Sequence, residues 1–261
     1  MKDKKNIAII FAGGVGSRMD TNDIPKQFLE VEDKPIIIHT LLNFEKHNDI
    51  DGIIISCLKE WIDYLDVKIK EFNITKVKSI IPGGTTGQDS IYKGLIEAKR
   101  LFTDNSNVLL HDGVRPYVKE ELITGCIKQV NELGNAVAYT QCNETIIVSE
   151  NGQNISSVPY RKNTFAGQAP QCFRLKEIIE AHDEIRAVNP TYDNIVDSCT
   201  LYNTLNKDIY LIKGHSGNIK ITTQADYYQF KSLLEYDKMQ SIGQSIPISD
   251  SIIKYIEKGE L

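Results

Sequence analysis

The feature that most constrains this chain is the passage IAIIFAGGVG at residues 7–16. Its five apolar residues, Ile7 to Phe11, have the length of a strand buried on both faces. The run passes at once into Ala12, Gly13, Gly14 and Gly16, a loop with almost no side chains. Glycines there let backbone N–H groups approach an anion closely, and Arg18 and Lys26 supply two positive charges a few residues on. The chemistry this suggests is that of a polyphosphate. The bland alternative is a tight strand-to-helix turn.

Two familiar phosphate loops are excluded. A dinucleotide fingerprint needs a third glycine three residues after Gly16, where Met19 stands. A Walker loop needs glycine, lysine and a hydroxyl residue after four intervening positions, and none occurs.

Further along, apolar spacing predicts helices over residues 35–46, 60–72, 88–101, 120–133, 174–187, 193–205 and 222–234, alternating with strands over 53–57, 77–81, 107–111, 136–140 and 209–213. Alternation of this kind implies an α/β fold, a mainly parallel, Rossmann-like sheet flanked by helices, with ligands at the C-terminal ends of the strands. Residues 141–166 break the pattern: short β-like runs surround Glu150-Asn151-Gly152, a hairpin signal, and predict a protruding β-arm. An isolated hairpin is marginal in water, which points to a partner. Residues 237–261 follow as a C-terminal extension, with Ile252, Ile253 and Ile256 at helical spacing.

A chain of 261 residues, 41% hydrophobic and 25% charged, can bury a full core. The net charge of −5 argues against a general nucleic-acid binder, so any phosphate site is local. The five cysteines are scattered without a CxxC pair and suggest neither a disulfide framework nor a zinc site. No segment has the length of a membrane span, and the short N-terminal apolar run makes a poor signal peptide, so a cytoplasmic protein is expected.

AGGVGSRM at residues 12–19, followed by PKQFLEVEDKPIIIHTL at 25–41, resembles the signature of the polyol-phosphate cytidylyltransferases. HDGVRP at 111–116, GQAPQCF at 167–173 and GNIKIT at 217–222 match further motifs in the expected order, over about residues 5–235. The resemblance implies a nucleotide-diphospho-sugar transferase type of fold and transfer of CMP from CTP to a polyol phosphate, with Mg²⁺ as cofactor. HDGVRPYV and VDSC, at 196–199, lean towards D-ribitol 5-phosphate as acceptor, with CDP-ribitol serving teichoic acid or capsule synthesis. The alternative is 2-C-methyl-D-erythritol 4-phosphate, an isoprenoid precursor.

The same resemblance implies the site. Arg18, Lys26 and Lys220 would be catalytic. Ala12, Gly13, Gly14, Gly16, Gly83, Ser90 and Asp112 would bind CTP, with Asp112 also at the metal. Arg115, Thr145 and Arg161 would bind the acceptor, the arm crossing to the second subunit of a homodimer. At Asp89-Ser90 the competing reading is ordinary helix capping. This chain departs from the family at Gly87, where arginine is usual, and at Ala169 and Val196, each of which replaces a threonine.

Overall fold

The computed structural model describes residues 4–14 and 24–241. In chain order, β1 (Asn6–Ala12) leads through the short strands β2 (Glu30–Val31) and β3 (Lys34–Pro35) to α1 (Ile36–Lys46). Then come β4 (Gly52–Cys57), α2 (Ile62–Glu71), β5 (Val77–Pro82), α3 (Gly87–Leu101), β6 (Asn107–Asp112), α4 (Glu120–Leu133) and β7 (Asn135–Gln141). The rest comprises β8 (Phe165–Arg174), α5 (Leu175–Val188), α6 (Ser198–Thr204), β9 (Leu211–Lys213) and α7 (Gln224–Ser241).

Seven strands form one sheet in the order β5-β4-β1-β6-β8-β7-β9. β1 is parallel to both neighbours, pairing Ile9 with Ile54 on one side and with Leu110 on the other. Because side chains alternate along a strand, Ile7 and Ile9 feed a core with α3, α5 and α6, while Ala8 and Ile10 feed one with α1, α2 and α4. Both faces are therefore covered, as a parallel sheet requires. Gly94 lets α3 close onto β1, since a Cβ there would stand 2.6 Å from the Ile9 side chain.

The expected α/β architecture is what the chain adopts, with one strand of the seven-stranded sheet that periodicity alone did not place. β8, which carries the GQAPQCF motif, lies antiparallel between β6 and β7. Its ladder with β7 shifts register between Val137 and Tyr139, opposite the stretch holding Pro170. Proline has no N–H to give a ladder, and an irregularity is where a central strand tolerates one.

Three expectations change in extent. The helix foreseen over 193–205 is only α6: residues 193–197 are irregular, Asn194 has a positive φ of 63°, and Asp197 caps the helix by accepting from the Thr200 amide at 2.8 Å. The β-arm contains the predicted turn, with Gly152 at φ 71°, but its pairing is a single bridge between Val148 and Ser157. The closing helix runs on to Ser241, so the boundary expected at 236/237 falls inside α7; Ile252, Ile253 and Ile256 lie outside the described residues.

Candidate active site

The C-terminal ends of β1 and β6, the loop before α3, β8 and the start of α6 surround a cleft of about 700 Å³. Ala12, Gly13 and Gly14 form part of its wall, and Gly16 and Arg18 lie outside the described residues. The loop is held from below by Gln27, which is 1% exposed. Its amide nitrogen donates to the Ala12 carbonyl at 2.8 Å and to the Gly14 carbonyl at 3.1 Å. With those carbonyls engaged by Gln27, the arrangement favours free loop amides for an anion in the cleft. Lys26, next to it on a short 3₁₀ turn, also lines the cleft, although it is 9% exposed.

Across the cleft, Asp112 ends β6 and is 6% exposed. One carboxylate oxygen accepts from the Arg115 Nε at 2.7 Å, and the other pairs with the Lys220 Nζ at 2.7 Å. Burial alone would push the Asp112 carboxyl up, but the two cations outweigh it and hold it below its ordinary value. His111, fully buried beside it, is pushed down to about 4 by burial and stays neutral, its Nε2–H donating to the Arg115 carbonyl at 3.0 Å.

Lys220 reaches this position through a brace between two distant segments. Asn218, fully buried, donates to the Ala169 carbonyl at 2.6 Å, and Gln168 donates to the His215 carbonyl at 3.0 Å. Arg115 closes the assembly by donating to the Asn218 carbonyl at 2.8 Å. Arg115 was expected on the acceptor; its Nε and one terminal nitrogen are engaged by the scaffold, although it still lines the cleft.

The loop before α3 supplies the remaining wall. Ser90 accepts from the Gly84 amide at 2.9 Å and donates to the Thr86 carbonyl at 2.9 Å. Thr86, rather than Ser90, is the cap of α3, accepting from the Asp89 amide at 3.0 Å. Ser90 lines the cleft with Gly84, Thr85 and Thr86, whereas Gly83 sits behind them, its amide tied to the Cys57 carbonyl at 2.7 Å. Gly87 also lines the cleft, and a Cβ there would meet nothing within 4 Å.

Thr145 and Arg161 do not join this cleft. Both are exposed on the arm, among exposed apolar residues that include Ile147 at 58% and Ile155 at 61%. At the other end, Gln171 donates to Asp197 at 3.0 Å and accepts from the Ser198 amide at 3.1 Å, fixing the start of α6 at the cleft. Gln27, Gln168 and Asn218 are the supporting residues that sequence reasoning left without a role. Their only signal was their place inside the motifs PKQ, GQAP and GNIK.

For a divalent ion the cleft offers the carboxylates of Asp112 and Asp197, and among the described residues no three His, Cys, Asp or Glu side chains converge. That donor set fits Mg²⁺ held mostly by ligand phosphates, a mode that needs only one or two protein carboxylates.

A glycine loop at the end of a parallel strand, with Lys26 beside it and Lys220 across the cleft, is an arrangement suited to a nucleotidyltransferase of the α/β class. Residues 6–236 match the family described as IspD: 2-C-methyl-D-erythritol 4-phosphate cytidylyltransferase, and the chain belongs to that family. It is 43% identical over 237 residues to the ribitol-5-phosphate cytidylyltransferase of Streptococcus agalactiae serotype III, covering 91% of this chain and 98% of that one. A 2-C-methyl-D-erythritol 4-phosphate cytidylyltransferase from Clostridium botulinum (strain 657 / Type Ba4) is 36% identical, with 88% and 98% covered. The solved 4-diphosphocytidyl-2C-methyl-D-erythritol synthase of Anaerococcus prevotii superposes with a TM-score of 0.76 at 27% identity, covering 89% of this chain and 96% of that one. The chain is thus an enzyme of the cytidylyltransferase kind, and no helix among its described residues is long and apolar enough to cross a membrane.

Proposed function

We propose that this enzyme transfers CMP from CTP to D-ribitol 5-phosphate, giving CDP-ribitol and pyrophosphate for teichoic acid or capsule synthesis. The observation that carries the chemistry is the convergence of Gly13 and Gly14, Lys26, and the Asp112–Lys220 pair on one cleft. The choice of acceptor is supported by the 43% likeness to a ribitol-5-phosphate cytidylyltransferase, against 36–38% to methylerythritol phosphate enzymes. The family's description favours 2-C-methyl-D-erythritol 4-phosphate as the second reading.

In the proposed reaction an oxygen of the acceptor phosphate forms a bond to the α-phosphorus of CTP. The bond from that phosphorus to the bridging oxygen breaks, and pyrophosphate leaves with the electron pair. The nucleophile is already an anion near neutral pH, so no base is needed. The barrier is anion repulsion and growing charge, which positioning and preorganised cations relieve. Lys26 serves the departing pyrophosphate together with Arg18, eight residues earlier in the sequence, and Lys220 the α-phosphate. Asp112 holds Lys220 in place and would help hold Mg²⁺, which when bound would supply charge neutralisation to the phosphates.

A homodimer belongs to this reading. Thr145 and Arg161 stand exposed on an arm that makes one β-bridge of its own, and its apolar side chains favour cover by a second copy. There the two residues would bind the acceptor phosphate and hydroxyls in the partner's cleft. Pyrophosphate release with CTP and each of ribitol 5-phosphate, methylerythritol 4-phosphate and other polyol phosphates tests the whole. A strong preference for ribitol 5-phosphate is expected; a preference for methylerythritol phosphate overturns the acceptor, and no release with any acceptor overturns the transfer.

A further inference from the structure

Two side chains on the cleft carry hydrogen-bonding groups that the folded chain leaves unused. Gln88, the second residue of α3, is 3% exposed, and among the described residues neither its amide nitrogen nor its amide oxygen has a partner. Ser198, the first residue of α6, is 1% exposed, and its hydroxyl has none. Both line the same cleft, Gln88 from the side of the loop before α3 and Ser198 from the side of Asp197 and Gln171. Buried polar groups are nearly always satisfied, and a carboxamide unsatisfied at both ends works against the free protein. Leucine would fill similar space without that penalty. The nearby polar side chains are already committed: Gln171 to Asp197 and the Ser198 amide, Ser90 to Gly84 and Thr86.

We propose that Gln88 and Ser198 form a subsite for ligand hydroxyl groups, with the amide as paired donor and acceptor and the serine completing the network. This rests on the cytidylyl-transfer reading, since both reactants carry neighbouring hydroxyls: the ribose of CTP and the chain of the polyol phosphate. A carboxamide matches such a pair because each hydroxyl both donates and accepts. No hydrogen bond holds the Gln88 amide in one rotamer, so it can turn to meet the ligand. Little bulk water competes for either group, which strengthens the bonds formed there.

The test compares wild type, Gln88→Leu and Ser198→Ala in two arms. One measures CTP against 2′-deoxy-CTP and 3′-deoxy-CTP; the other measures ribitol 5-phosphate against analogues lacking one hydroxyl. In the arm that supplies the hydroxyl, Gln88→Leu should raise KM for the full ligand about tenfold and erase a similar factor of discrimination against the deoxy analogue. kcat should change less, and the melting temperature should not fall. Ser198→Ala should act in the same arm to a smaller degree. Unchanged discrimination in both arms, whether or not the melting temperature falls, overturns the subsite. Calorimetric binding of the same ligands reads both arms without turnover. A failure of wild type to release pyrophosphate then counts against the transfer reading while the subsite is still decided.

Discussion

The Lys220 ammonium lies 2.7 Å from a carboxylate oxygen of Asp112, although Lys220 belongs to a loop more than a hundred residues further along the chain. Arg115 holds the second oxygen at 2.7 Å, so one buried acid anchors two cations at the cleft. Asp112→Asn keeps the shape and removes the charge. It should destabilise the fold by about 3 kcal/mol, the low end for breaking a buried pair, because Lys220 can turn toward water. The pH dependence has a definite sign. The carboxyl is held below its ordinary value in the folded chain, so its stabilisation is present above the unfolded value of about 4 and is lost as pH falls through the folded value. Urea titrations of wild type and Asp112→Asn should therefore differ near neutrality, begin to converge as pH falls below about 4, and meet only below the folded value.

Gln27 offers a separate test of the glycine loop. It lines the cleft, and its amide nitrogen binds the carbonyls of Ala12 and Gly14. Gln27→Ala should lower stability by about 1–2 kcal/mol and weaken CTP binding, through a loop that no longer presents its amides in one arrangement. Gln27→Glu should do worse, because a carboxylate facing two carbonyl oxygens is repelled by both. Calorimetric CTP binding by each variant, set beside its melting temperature, checks this. CTP affinity equal to wild type in both variants would remove Gln27 from the loop's support.

Lys26→Ala should keep the fold and lose turnover by about 10²- to 10³-fold, the usual effect of removing one preorganised group that meets developing charge. Circular dichroism and pyrophosphate release measured on the same preparation separate the two effects, and near wild-type kcat would take Lys26 out of the mechanism.

Gly87 marks the place where the chain departs from the arginine usual in its family. A side chain added there meets open space, so Gly87→Arg should fold with a melting temperature close to wild type. A guanidinium at the cleft rim should lower KM for CTP several-fold at low salt, with the gain shrinking as salt screens it. An unchanged KM at low ionic strength would show that position 87 does not face the nucleotide.

What the sequence made legible follows from which forces are local. β1, β4 and β6 announced themselves because strands buried on both faces must be continuously apolar, and α4 appeared with the limits its spacing predicted. β8 gave no such signal: glycine, two glutamines and proline break its apolar run, and an antiparallel strand between β6 and β7 is a tertiary choice. The 193–205 segment misled because Asp197 is itself the cap, which places the helix start at Ser198, five residues later than apolar spacing suggested. The motifs named Lys26, Asp112 and Lys220 individually. The Asp112 bridge, and the Gln168–Asn218 brace behind it, depend on contacts about fifty or a hundred residues apart that no spacing encodes.

The arm poses the last question, because Thr145 and Arg161 are absent from the cleft of their own chain. If the arm completes the cleft of a second copy, a subunit with an inactive Lys26→Ala cleft still carries an intact arm, and an Arg161→Ala subunit still carries an intact cleft. Mixing the two inactive variants should then restore about a quarter of wild-type turnover per active site, as random exchange makes half the dimers mixed and each mixed dimer has one complete site. Native mass spectrometry of one tagged and one untagged variant verifies that exchange has occurred. Mixed dimers present at that level without recovered pyrophosphate release would mean that the arm does not serve a neighbour's site. Arg161→Ala alone should raise KM for the acceptor far more than for CTP, since a guanidinium's paired bonds suit the acceptor phosphate it is proposed to hold.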